Sequence, residues 1–542
     1  MPDDPALPDA APPPDAAAPP DDDLVLTIDL GTSGPKVAVF TLEGRFLDGE
    51  FQPVDLLLSD GGGAEQRPAD WWSGVVAGAR RLRERGSLPV RPAAVSVTSQ
   101  WSGTVAIDRD GEPLADSLIW MDSRGAEDVA SLGGRFRMQG YDPRQLRRWI
   151  QLTGGAPSLS GKDPLAHILW LRRNRPELSA STWKYLEPKD WLNLRLTGEC
   201  VATYDSIVVH WVTDNRDPSH VTYAPELLDI AGLRREWLPD LVPATSVVGF
   251  VTARAAAELG IDPGVPVIGG TPDVQSATIG SGAVDDFEGH LYLGTSSWLT
   301  CHVPFKKTDL MRGVASLPAP LPGRYFVANE QETAGACLNW LRDQVLHPDD
   351  ELSTGPAPDD VFARIDRVAA SSPPGANGVV FTPWLNGERT PVDDHTIRAG
   401  WHNVSLRTDR ADMVRAVLEG VALNSRWLLG CVERFCGRPF PWINVIGGGG
   451  VSAVWAQIHA DVLDRPVRRV EHPIRANARG AALLAGVALG RVPVEGLGEM
   501  VEVVEVHRPE PANRRTYDEA YGAFRSIYKQ NKGIHRKLNA HR

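Results

Sequence analysis

Asp29 stands at the head of Asp29-Leu30-Gly31-Thr32-Ser33-Gly34-Pro35-Lys36, and the tetrapeptide Leu30-Gly31-Thr32-Ser33 recurs as Leu293-Gly294-Thr295-Ser296. Each copy follows a short β-branched or aromatic run, so each reads as a tight turn leaving a strand. Such a turn bares backbone N–H groups that can cradle phosphate oxygens. Only the first copy adds a carboxylate, Asp29, able to hold Mg²⁺ through water, and a cation, Lys36, which with Thr32 and Ser33 can reach polyphosphate oxygens. A hairpin in which Asp29 merely accepts local hydrogen bonds is the plain alternative, and the recurrence of the turn favours phosphate. The chain has neither a G-x-x-x-x-G-K-[ST] loop nor the signature set of protein kinases, so nucleotide chemistry here needs another scaffold.

Asp273 lies in Gly269-Gly270-Thr271-Pro272-Asp273-Val274-Gln275-Ser276, at the first turn of a helix that follows a Gly-Gly turn. The helix dipole and free N–H groups there favour its ionised form. Facing a cleft, that carboxylate could accept a proton from an attacking hydroxyl or orient it; the plain alternative is a helix-capping acid. The run Gly447-Gly448-Gly449-Gly450, followed by Ser452, sits between a strand and a helix N-terminus, an arrangement that can hold a nucleotide. It lacks the third glycine of G-x-G-x-x-G and could equally serve close helix–sheet packing. A polyol surface is suggested by Thr98-Ser99-Gln100-Trp101-Ser102-Gly103-Thr104 together with Ile119-Trp120-Met121-Asp122-Ser123-Arg124. These residues combine amides, hydroxyls and a carboxylate with a flat apolar wall, and a sugar shows hydroxyls on one side and C–H on another.

The elements that must position these groups read as α/β. Residues 24–30, 36–42 and 46–51 form an antiparallel meander, followed by a helix over 71–85, a strand over 93–98 and a helix-rich stretch over 164–196. After the turn Asp262-Pro263-Gly264 the pattern restarts with a strand over 265–268, and the domain boundary is set there. The second half adds a strand over 378–381 and a helix over 409–435 with Val414, Val417, Leu418 and Val421 at helical spacing. A strand over 443–446 and a helix over 452–463, stopped before Pro466, complete it. The expected division is a Pro/Ala/Asp-rich disordered tail over 1–23, domains over 24–264 and 265–508, and an extension over 509–542 whose basic end, from Arg525 and Lys529 to Arg542, is a solvated tail.

A chain of 542 residues is too long for one ordinary core, so two domains flanking a cleft are expected. The formal net charge of -13 disfavours nucleic acid and anionic membranes as partners. The amino terminus carries no basic start or apolar stretch of a signal peptide, and Cys200, Cys301, Cys337, Cys431 and Cys436 show no C-x-x-C pair, which together suggest reduced thiols in a cytoplasmic protein.

With these residues in place, the chain resembles the FGGY carbohydrate kinases, nearest to the xylulokinase-like members, within the sugar kinase, Hsp70 and actin superfamily. The resemblance runs over about residues 24–492. It takes in Asp29-Leu30-Gly31-Thr32-Ser33 with Lys36, Trp120-Met121-Asp122-Ser123-Arg124, Leu196-Thr197-Gly198-Glu199, Asp273, Asn386-Gly387-Glu388-Arg389-Thr390-Pro391, Leu418-Glu419-Gly420-Val421-Ala422, and the glycine run with Trp455, Ala460, Asp461 and Pro466. It implies two ribonuclease-H-like domains closing over ATP and Mg²⁺ and transfer of the γ-phosphoryl group to a sugar hydroxyl. Asp273 would be the base and Asp29 would hold the metal. The turns at Gly31 and at Gly294, Thr295 and Ser296 would flank the phosphates, and Gly447, Gly448, Gly449, Gly450 and Ser452 would lie near the adenosine. Gln100, Trp101, Ser102, Asp122 and Arg124 would face the sugar.

Two departures stand out. Xylulokinases usually present Gln-Met-His-Gly at the sugar, where this chain has Gln100-Trp101-Ser102-Gly103, and Pro35 removes a donor from the phosphate turn. The expected partners are ATP and a small sugar, most simply a ketopentose such as D-xylulose, with another ketose or polyol (ribulose, erythritol) as the alternative. The oligomeric state, monomer or homodimer, is open. A non-catalytic ATP-binding regulatory protein is the reading from another class, and it would need no base at Asp273.

Overall fold

The computed structural model describes residues 20–133, 140–352 and 354–539. Residues 1–19 of the expected tail, and Arg542, lie outside the described residues. The first strand, Leu24–Gly31, is buried along almost its whole length, with Val25, Leu26, Ile28 and Leu30 filling both faces. That pattern belongs to a central strand covered on two sides. It lies inside a six-stranded sheet ordered Val247–Phe250, Pro266–Pro272, Ala94–Ser99, Leu24–Gly31, Gly34–Thr41, Phe46–Phe51. The three strands Pro266–Pro272, Ala94–Ser99 and Leu24–Gly31 are parallel, and the meander closes one side. Register places Asp29 opposite Thr98, Thr98 opposite Thr271, and Ser99 opposite Pro272. The chain therefore leaves all three strands at one end of the sheet, where α/β folds build their sites.

This arrangement corrects the boundary expected after Gly264. The strand that follows that turn completes the first sheet instead of opening the second. The second sheet is ordered Ser297–Thr300, Gly289–Leu293, Ile443–Ile446, Val467–Val470, Val503–His507. It repeats the plan of the first, a hairpin strand followed by parallel neighbours. Its long helix, Arg410–Cys436, begins at a capping box between Asp409 and Asp412 and ends at Gly437, which takes the left-handed conformation at φ 76°.

Alternation in the strand Gly34–Thr41 shows how the first sheet is covered. Val37 and Val39 pack under the helix Pro68–Glu84, whereas Ala38 and Phe40 meet Ala478 and Ala482. Those alanines belong to the helix Ala476–Ala488, which follows the second sheet in sequence. The helix Asp273–Gly280 makes the opposite exchange: it leaves the first sheet and packs Ala277 and Ile279 among Leu483, Leu484 and Val284. The two helices cross almost backbone to backbone. A Cβ on Gly280 would lie 1.8 Å from the Ala476 carbonyl oxygen, and one on Gly480 1.9 Å from that of Ser276. Only glycine admits this contact. Each half thus lends the other a helix, and the crossing joins them directly below the ends of the parallel strands.

The basic carboxyl end is also corrected. The segment Arg514–Asn539 is a helix, not a solvated tail. It buries Tyr517 and Phe524, and Phe524 lies 5.2 Å from the Trp384 ring and 6.2 Å from that of Trp427. Among the described residues no helix is long and apolar enough to cross a membrane, and all five cysteines are free.

Candidate active site

The first phosphate turn is the tip of the hairpin formed by Leu24–Gly31 and Gly34–Thr41. Gly31 pairs with Gly34, leaving Thr32 and Ser33 as a two-residue turn. Gly34 has φ 141°, and a Cβ there would lie 2.0 Å from the Gln52 carbonyl oxygen, so this position requires glycine. Pro35 costs nothing at this place, because its carbonyl accepts from Gln52 N–H and its ring packs on Gly74. Cross-strand register sets Lys36 against Asp29, with Nζ 3.9 Å from Oδ2. Asp29 is buried, and its Oδ1 has no hydrogen-bond partner. Burial raises its affinity for a proton, opposed by the Lys36 charge and a hydrogen bond from Asn477.

The hydroxyl and carbonyl of Thr32 are engaged within the protein. Its hydroxyl donates to Gln100 Oε1 at 3.3 Å and accepts from the Trp120 indole at 2.9 Å, while its carbonyl accepts from Gln66 Nε2 at 2.7 Å. Gln100 in turn donates to Gln66 Oε1 at 2.8 Å. This network ties the phosphate turn to the two segments read as a sugar surface. Gln66, which no sequence motif singles out, is its centre.

Asp273 opens its helix directly after Pro272, and its Oδ1 accepts from Val274 N–H at 2.8 Å. The helix N-terminus leads one to expect an ionised carboxylate. Instead its pKa is pushed up to about 7, by burial first and then by the negative charges of Asp29 and Glu330, with the Val274 N–H and Lys36 only partly offsetting them. A local dipole is outweighed by burial together with two facing carboxylates. The Asp29–Asp273 repulsion and the orphaned Asp29 oxygen are what a cation would relieve. Among the described residues no group of three or more His, Cys, Asp or Glu side chains could hold a metal alone.

Around Asp273 the sugar-surface residues divide into two groups. The Trp101 indole donates to the Ser206 carbonyl at 2.9 Å, and its ring packs beside Phe326 and with Val274, next to Asp273. Ser102 has φ 67°, and the following Gly103 N–H donates to buried Glu187 Oε2 at 3.0 Å. Asp122, by contrast, is fully buried and engaged within the protein. It accepts from Ala64 N–H at 2.9 Å and Arg124 N–H at 3.0 Å and pairs with the Arg124 guanidinium, which also meets Glu65 and covers the Trp170 ring at 4.0 Å. Asp122 and Arg124 hold the Trp120 segment in place.

The second turn, Gly294-Thr295-Ser296, joins the strands Gly289–Leu293 and Ser297–Thr300. The helix Gly335–Leu341 caps it: Gly335 N–H donates to the Gly294 carbonyl at 2.7 Å and Ala334 N–H to that of Thr295 at 2.9 Å. Ser296 donates to Glu330, which is gripped by Arg389, and Arg389 also pairs with Glu332. The glycine run lies against this turn because Ile443–Ile446 pairs with Gly289–Leu293. A Cβ on Gly447 would meet the Leu293 carbonyl oxygen at 2.8 Å, and one on Gly449 the Leu293 Cβ at 2.6 Å, whereas Gly448 faces open space. Gly450 is buried, and Ser452 caps the next helix, accepting from Trp455 N–H at 2.9 Å and donating to Asp366 at 2.8 Å. The structure therefore brings the two turns, the glycine run, Asp29, Asp273 and Trp101 around the crossing helices. Sequence reading missed Gln66, Asn477, Glu187 and Glu330, which lie outside any glycine or hydroxyl motif.

Residues 24–280 match the FGGY family of carbohydrate kinases, N-terminal domain, and residues 290–489 match the C-terminal domain of the same family. The xylulose kinase of Staphylococcus epidermidis is 28% identical over 517 residues, covering 94% of this chain and 98% of that protein. The erythritol kinase of Brucella abortus is likewise 28% identical, over 523 residues, covering 93% of this chain and 95% of that protein. The fold superimposes on the ligand-bound xylulose kinase of Lactobacillus acidophilus with a TM-score of 0.82 at 23% identity, covering 95% of this chain and 99% of that one. The paired hairpin turns, the two sheets of one plan and the helices they exchange, together with these matches along both halves, place the chain in the FGGY family of carbohydrate kinases.

Proposed function

We propose that this carbohydrate kinase transfers the γ-phosphoryl group of ATP to a hydroxyl of a ketopentose such as D-xylulose, with Asp273 as the base. The observation that carries the reading is the meeting of Asp29 and Asp273 at one end of the first sheet, where burial and the charge of Asp29 raise the proton affinity of Asp273. Asp273 would accept the proton of the attacking hydroxyl or orient it, while the Trp101 ring walls the sugar. Lys36 and the N–H groups of the turns at Gly31 and Gly294 would meet phosphate oxygens. Asp29 would hold Mg²⁺, and the ion would supply neutralisation of phosphate charge there. Phosphoryl transfer asks the protein mainly for position and electrostatics, and the glycine crossing gives a joint about which the halves can close and exclude water.

A second reading, a polyol or another ketose such as erythritol or ribulose, is favoured by one observation: a bulky indole, Trp101, stands in the segment read as the sugar surface, fixed by its hydrogen bond to the Ser206 carbonyl and its packing beside Phe326. ADP release measured with ATP, Mg²⁺ and a panel of ketoses and polyols tests both. Fastest turnover with D-xylulose supports the first, fastest turnover with a polyol or ribulose supports the second, and no sugar-dependent release with any of them contradicts both.

A further inference from the structure

A second cluster of charge lies away from the phosphate turns, where the carboxyl end of the long helix Arg410–Cys436 meets the helix Arg514–Asn539. A cleft of about 290 Å³ opens there, walled by Trp427, Cys431 and Pro391 and rimmed by Arg312, Arg434 and Arg525. All three guanidinium groups act on the Cys431 thiol, and Asp309 opposes them. Asp309 is already paired with Arg312, at 2.7 Å. Nearby acids are spent elsewhere: Glu433 on Arg465 and Asp518 on Arg426 and Arg514.

Among the described residues Arg434 and Arg525 meet no carboxylate. Arg434 donates to the Gly430 carbonyl at 3.0 Å; Arg525 donates through Nη1 to the Tyr521 hydroxyl at 3.2 Å and lies over the Trp427 ring at 4.6 Å. The Nε of Arg525 is buried with no acceptor. An unmet guanidinium N–H beside an aromatic wall is costly unless an anion fills the place. In a chain of net charge -13, three arginines converging on one small cleft are not the surface average.

We propose that this cleft binds the phosphate group of a small metabolite, separately from the nucleotide and sugar site. Planar guanidinium groups match phosphate in paired hydrogen bonds, and with Arg312 neutralised by Asp309 the charges of Arg434 and Arg525 balance a dianion. The site is also joined to the active cleft by the chain itself, because Pro391 follows Arg389 and Thr390, and Arg389 grips Glu330 and Glu332.

The test is isothermal titration of the full-length enzyme with inorganic pyrophosphate, with saturating ADP present so that the phosphate turns are occupied. One saturable event is expected in the wild type. Its affinity should fall at least tenfold in Arg434→Glu and in Arg525→Gln, with ADP affinity unchanged in both. Arg434 is exposed, so its variant keeps the test sound should the Arg525 variant fold poorly. No saturable event in the wild type under ADP, or equal pyrophosphate affinity in wild type and Arg434→Glu, overturns the proposal.

Discussion

Asp29 and Asp273 stand one strand apart at the same end of the first sheet, Asp29 in register with Thr98 and Asp273 one residue beyond Pro272, the partner of Ser99. Burial first, and then the charge of Asp29, keeps Asp273 poised near neutrality, with a pKa of about 7. A base poised there suits transfer from a neutral hydroxyl at physiological pH.

The pH dependence follows with a definite sign. Because Asp273 must be ionised to accept a proton, kcat/KM should fall about tenfold per pH unit below about 7 and level off above it. Stability runs the other way. A carboxyl whose folded pKa lies at about 7, above its ordinary value of 3.8, stabilises the ligand-free protein fully below 3.8, and that contribution is lost as pH rises through about 7. Asp273→Asn should therefore raise Tm relative to wild type more at pH 8 than at pH 5, as scanning calorimetry of the ligand-free protein would read.

Selectivity should reside in Trp101 and Ser102. Trp101→Met combined with Ser102→His should change sugar KM by about tenfold or more while leaving ATP KM within about twofold, since a change in pocket contacts is worth about 1–3 kcal/mol. Steady-state kinetics over the sugar panel measure it, and parallel changes in both KM values would assign the segment to folding.

The glycine crossing should tolerate no side chain. Gly480→Ala places a Cβ 1.9 Å from the Ser276 carbonyl oxygen, which only separation of the two helices can relieve. A loss of about 1–3 kcal/mol in urea unfolding is expected, together with a fall in kcat, because the helix that moves carries Asp273.

The carboxyl-terminal helix should matter to the second domain. Phe524→Ala removes a buried ring wedged between Trp384 and Trp427 and should cost about 3–5 kcal/mol. Substituting the exposed Lys529 or Lys532 should change stability by less than about 0.5 kcal/mol.

The helix just discussed also marks where the sequence was hard to read. Tyr517, Phe524 and Tyr528 recur on one face, but Arg525, Lys529, Lys532, Arg536 and Lys537 dominate the composition and suggested a solvated tail. Local signals gave the meander, the capped long helix and the strand before the glycine run, because glycine, proline and alternating apolar residues act within a few positions. Register does not. The strand before Asp273 pairs with Ala94–Ser99, far earlier in the chain, so a good turn at Asp262-Pro263-Gly264 suggested a domain start where the sheet in fact continues. The same limit applies to charge. The helix N-terminus at Asp273 is visible in sequence, but its effect is reversed by burial and by the carboxylates of Asp29 and Glu330, which come from distant parts of the chain. Thr32 was read as a phosphate contact from its turn, and only long-range packing brings Gln66, Gln100 and Trp120 to its hydroxyl and carbonyl.

The most direct test is a single-turnover measurement of γ-labelled phosphoryl transfer from ATP to the preferred sugar by wild type and by Asp273→Asn, with nucleotide affinity measured on the same samples. The account predicts labelled sugar phosphate from the wild type, transfer slowed by about 10²–10⁴-fold in the variant, and nucleotide affinity within about twofold. Transfer by Asp273→Asn at the wild-type rate would contradict it.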